Sequence, residues 1–155
     1  MRNIICGLII PNILGLWFFK KDKKLLIKIV PFVWVMATLV QVWGSYRKYW
    51  ILKPRIRKGK FLSTMPFSLG LYPILSVLMI YFIKHTKGLN TILIFIFSFF
   101  TTVAEICALL MGWLKYGNNW NIIKTFFSYL LPYYSVYKYY FWTDNNEDST
   151  LPYSN

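Results

Sequence analysis

Acidic residues are scarce in this chain. Five Asp and Glu stand against 18 Lys and Arg among 155 residues, a formal charge of +13. Histidine occurs once, at His85, and cysteine twice, at Cys6 and Cys107. One histidine and two separated cysteines provide no zinc-binding set. Two cysteines within apolar runs read as packing residues and exclude a disulfide scaffold. No Gly-rich phosphate loop, nucleophile elbow or kinase signature occurs. Paired interior carboxylates for acid–base work are also missing. These absences leave no recognisable catalytic set, and they imply neither a cofactor nor a metal.

Charge of either sign is low, at 15% of residues, against ~25% in an average soluble domain. What replaces it is apolar: 57% hydrophobic and 21% aromatic residues, with a mean hydropathy of +0.44. A soluble domain of this length could not hide that much apolar surface, and the same composition excludes a disordered chain. The expected fold class is all-α, a polytopic membrane helix bundle occupying residues 1–143, followed by an acidic, disordered tail over 144–155.

Five apolar stretches predict about five transmembrane helices: Ile4 to Phe19, Leu25 to Trp43, Phe61 to Ile83, Leu89 to Leu114 and Ile122 to Trp142. A helix needs ~20 residues to cross the ~30 Å hydrocarbon core. The first stretch is short and carries Pro11, and without a small-x-small cleavage site it reads as an uncleaved helix. The second holds Lys28 and Pro31, and either spans or forms a re-entrant segment. Tryptophans and tyrosines mark the ends of these stretches, as amphipathic rings do at headgroup level. Trp43, Tyr46, Tyr49 and Trp50 follow the second, while Trp113, Tyr116 and Trp120 follow the fourth.

Basic residues gather between the apolar runs, around Lys20–Lys24 and over Tyr46–Lys60. That placement favours a lipid bilayer with anionic headgroups as the partner over nucleic acid. Arg47, Lys48, Arg55, Arg57 and Lys58 are the candidate headgroup contacts. Interspersed with Trp50, Ile51 and Leu52, this segment also suits a short surface helix. By the weight of this loop, the N-terminus faces the cytoplasm.

Glu105 is the one acid within the apolar stretches. A mid-helix carboxylate costs ~2.5–3.5 kcal/mol to insert and normally faces the bundle interior. Ser98, Thr101, Glu105, Ala108 and Gly112 recur at spacings of three and four, which predicts one small, polar stripe. Similar stripes occur at Pro31, Trp34, Thr38, Gln41 and Ser45, and at Asn121, Thr125, Ser128, Pro132, Ser135 and Tyr139. Together they predict a shared polar interior holding Glu105, Thr101, Ser98, Gly112 and Ser128. Lys28, Lys124 or a tyrosine of the last stretch would partner the carboxyl. Gly112 would let a neighbouring helix approach closely.

The run Glu105-Ile-Cys-Ala-Leu-Leu-Met-Gly112-Trp-Leu-Lys-Tyr116-Gly-Asn-Asn119-Trp120, with Tyr72-Pro73 upstream, resembles a family of small multi-pass membrane proteins. The family occurs in spore-forming Bacillota and is named after a clostridial locus tag. The resemblance covers residues 66–142. It implies a bacterial cell membrane but brings no activity or site residue with it. Where the family often has Asn-Gly-Trp, this chain has Asn118-Asn119-Trp120.

Two functions follow as expectations. One is a non-catalytic membrane interaction or structural protein that binds another membrane protein or a second copy of itself. The other is a small permease, channel or proton-coupled carrier using Glu105.

Overall fold

The computed structural model describes Lys20 and residues 22–52, 70–86 and 88–150. Four helices occur among them: α1 (Lys23–Arg47), α2 (Tyr72–His85), α3 (Asn90–Leu110) and α4 (Ile122–Thr150). Two short strands, β1 (Trp50–Leu52) and β2 (Leu114–Tyr116), pair antiparallel.

Helix α1 starts where the Asp22 side chain accepts a hydrogen bond from the Leu25 N–H at 3.0 Å, satisfying one orphan donor of the first turn. It stops where Lys48 turns left-handed, at φ 55°. Between these ends Leu25, Ile29, Val33, Ala37, Gln41 and Gly44 are buried. That spacing of four, closing with three, is one face of a helix. The 25 residues span ~37 Å at 1.5 Å each, so this stretch is one continuous helix rather than a re-entrant hairpin. Pro31 lies within it, on the exposed side.

The helices alternate in direction. The Lys84 Nζ–Asp22 Oδ2 contact, at 3.5 Å, sets the end of α2 beside the start of α1. The β1–β2 ladder, with Trp50 opposite Tyr116 and Leu52 opposite Leu114, ties the ends of α1 and α3 together. Helix α4 leaves from that ladder and returns to the other end, where Asp144 meets Lys28 at 3.1 Å. The clusters at Lys20–Lys24 and at Arg47 and Lys48 therefore lie at opposite ends. A core of Leu25, Ile29, Val33, Val77, Met79, Ile80, Ile94, Tyr133 and Val136 joins all four helices.

Five transmembrane helices are not supported. Among the described residues, α1 and α3 are long and apolar enough to cross a membrane. Helix α2 is apolar but has 14 residues, ~21 Å at 1.5 Å each. In α4, Lys124, Lys138 and seven tyrosines and hydroxyl residues from Thr125 to Tyr137 dilute the apolar run. The stretch Ile4 to Phe19 lies outside the described residues. The fold is mostly helical, and the ladder is an addition to the expected all-α class.

Outside the core, α3 presents Phe95, Phe99 and Phe100 outward, Phe100 being 66% exposed. An apolar outer face of this kind suits lipid better than water. Helix α4 runs on through Thr150. Residues 50–52 of the basic segment form a strand, not a surface helix, because their backbone pairs with β2. Arg55, Arg57 and Lys58 lie outside the described residues.

Candidate functional site

The inward face of α3 is small and hydroxylic. Ser98, Thr101 and Thr102 are buried. Each donates its hydroxyl to the carbonyl four residues earlier: Ile94 at 2.8 Å, Phe97 at 2.7 Å and Ser98 at 2.8 Å. These bonds keep the hydroxyls satisfied within their own helix. Thr101 Oγ1 also lies 2.9 Å from Tyr133 Oη. The Thr101 proton goes to Phe97, so Tyr133 is the donor in that pair.

One turn on from Thr101, Glu105 meets hydroxyls from α4. Tyr129 Oη donates to Glu105 Oε2. Thr125 Oγ1 lies 3.4 Å from Glu105 Oε1 and 2.8 Å from Tyr116 Oη. With a single proton, it serves one of them at a time. Trp120 Nε1 donates to Thr125 Oγ1 at 2.8 Å. Tyr72 Oη lies 3.3 Å from Tyr129 Oη. Since Tyr129 gives its proton to Glu105, Tyr72 is the donor between the two tyrosines. Burial pushes the Tyr116 hydroxyl above the ordinary phenol range, so it stays a neutral group.

No lysine or arginine among the described residues pairs with this carboxyl. Lys28 pairs with Asp144, and Lys124 Nζ donates to the Asn119 carbonyl at 2.8 Å. Lys28 lies at the opposite end of the bundle, and Lys124 is exposed beside the buried Thr125.

Glu105 forms part of the wall of a cavity of about 590 Å³ between the four helices. Thr101, Ser128, Gln41, Tyr72, Tyr129 and Tyr133 add polar atoms to its wall, and Trp50, Phe97, Phe100 and Trp113 add aromatic surface. Trp50 Nε1 donates to Gln41 Oε1 at 3.1 Å. Ser128 returns its own hydroxyl to the Thr125 carbonyl at 2.7 Å.

Gly112 does not join this site. It lies past the end of α3, exposed, at φ +70° with open space around it. Its N–H bonds the Leu109 carbonyl, and the Trp113 N–H bonds that of Ala108, each at 2.9 Å. This is the six-to-one closure that a left-handed glycine gives a helix end. Gly112 is thus a stop signal, not a close-approach position for a neighbouring helix. The stop folds Tyr116 and Trp120 back toward Glu105. Sequence reading places these two rings at the membrane interface and misses their role at the carboxyl. Nothing in the linear spacing signals a chain reversal that brings residue 116 beside residue 105.

Of the stripe on α1, Gln41 reaches the interior while Pro31 and Trp34 are exposed. Arg47 and Lys48 are exposed at the end of α1, and the Arg47 carbonyl accepts a hydrogen bond from Asn118 Nδ2 at 2.9 Å. His85 is exposed, with Nδ1 2.8 Å from the Tyr81 carbonyl. Among the described residues no group of histidine, cysteine and acidic side chains could hold a metal ion.

No family model, curated protein or solved structure matches the chain. The likeness to the Bacillota membrane family therefore rests on the quoted residues alone.

Proposed function

We propose that the protein is a multi-pass integral protein of a bacterial cell membrane that takes a small ligand into the cavity between its helices. It would act as a small permease or proton-coupled carrier, with Glu105 as the binding carboxyl. The observation that carries this reading is the position of Glu105. It lines open space of about 590 Å³ and takes its hydrogen bonds from neutral hydroxyls. Pockets of ~300–1,000 Å³ with few polar groups are typical of small-molecule sites. A bundle whose stripe served helix packing alone would close around that carboxyl. The exposed Arg47 and Lys48 would rest against anionic headgroups at one end.

Labelling by an apolar carbodiimide, which enters bilayers and modifies carboxyls, tests this reading. In lipid nanodiscs, mass spectrometry should find the adduct on Glu105 and none at this position in Glu105→Gln. An intact nanodisc protein that leaves Glu105 unlabelled would return the assignment to a structural or interaction protein.

A further inference from the structure

We infer that the ligand of this cavity is a lipophilic organic cation, an amine or onium group carrying apolar substituents. The inference rests on the ligand-binding reading above and names its ligand class. The wall combines one acidic group with extensive aromatic surface. Glu105 has no cationic partner among the described residues. Its hydrogen-bond neighbours, Tyr129 and Thr125, contribute no positive charge. The same cavity wall carries Trp50, Trp113, Phe97 and, at its open side, the exposed Phe100. Aromatic faces attract a cation held over them, most strongly where water is excluded.

The two features select for the same chemistry. An anion would face a carboxyl with no positive group beside it among the described residues. A neutral apolar molecule would pack against the rings but leave Glu105 unused. A small hydrated metal ion would waste the aromatic walls, and no cluster of ligands is present for it among the described residues. A cation with apolar substituents matches both the single carboxyl and the rings, and it can enter from the bilayer. The described basic residues of the ladder end, Arg47, Lys48, Lys115 and Lys124, are exposed and take no part in the cavity wall.

The test uses tetraphenylphosphonium and tetraphenylborate, which share a shape and differ in sign. Binding is measured to the full chain in nanodiscs, with empty nanodiscs as the reference for lipid partitioning. Saturable binding of tetraphenylphosphonium is expected, weakened at least tenfold in Glu105→Gln and within a few-fold of wild type in Glu105→Asp. Tetraphenylborate should neither bind saturably nor compete. In the wild-type chain, prior tetraphenylphosphonium should also protect Glu105 from the carbodiimide, a result that needs no variant to fold. Equal binding of the two ions, or full affinity in a folded Glu105→Gln, would overturn the cation assignment. Labelling of Glu105 without any protection would overturn it too, while leaving the ligand-binding reading intact. Absence of labelling would remove both.

Discussion

Lys28 and Asp144 are 116 residues apart in the chain, yet Lys28 Nζ lies 3.1 Å from Asp144 Oδ1. The pair fastens α4 to α1 at the end of the bundle opposite Glu105. Lys28 also stands over the Tyr140 ring at 5.4 Å, with Lys84 on the same ring at 5.9 Å. The lysine side chain is 14% exposed and the aspartate 45%. Solvent therefore screens the pair, and it should contribute ~0.5–1 kcal/mol. Asp144→Asn should lower the thermal midpoint in nanodiscs slightly. The exchange Lys28→Asp with Asp144→Lys should recover part of the loss seen with Lys28→Asp alone. An exchanged protein no better than that single variant would show that the pair does not couple the helices.

Removing the carboxyl has a cost that depends on what replaces it. Glu105→Gln keeps an acceptor for the Tyr129 and Thr125 hydroxyls, so the fold should hold to within ~1 kcal/mol. Glu105→Leu takes the acceptor from the Tyr129 hydroxyl, while Thr125 keeps Tyr116, at ~1–3 kcal/mol. Thermal unfolding of the two variants should separate them in that order. Equal midpoints would mean that the Tyr129 hydroxyl finds another acceptor.

Gly44 faces the Trp50 ring, and a Cβ placed there would overlap it. Gly44→Ala should therefore push Trp50 off Gln41 and destabilise by ~1–3 kcal/mol, the usual range for overpacking. Tryptophan fluorescence should shift to the red as the ring leaves its site. An unshifted spectrum with an unchanged midpoint would place the ring elsewhere.

Tyr116 is held in its neutral form by burial. A phenol whose folded-state pKa is raised adds stability below the unfolded value of ~10, and that contribution fades as pH climbs above it. Ultraviolet titration through pH ~10 should show the normal tyrosinate step unchanged in Tyr116→Phe, because residue 116 does not ionise there. Loss of a normal phenol step in that variant would contradict the burial.

Some of this was readable along the chain. The helical character of α1 follows from its apolar run, but of its polar stripe Gln41 is buried while Pro31 and Trp34 are exposed, because Leu25, Ile29, Val33 and Ala37 take the inward face. The inward Ser98, Thr101 and Glu105 follow from the helical period. Helix α4 was harder. Its apolar letters suggested a span, but its tyrosines lower its hydropathy, and their hydroxyls are satisfied by partners that only packing supplies. The ladder was not legible, since three-residue strands carry too little pattern to stand out beside long helices. Gly112 matched the helical spacing of the stripe, yet its backbone had already left the helix.

Composition and periodicity by themselves determined a helical, apolar chain with most of its cations between its hydrophobic runs, because burying backbone amides and apolar side chains restricts the choices locally. Only the tertiary structure decided which groups meet Glu105. Hydrogen bonds between distant residues depend on chain reversal and on how helices pack, and neither is encoded in the spacing within a single helix.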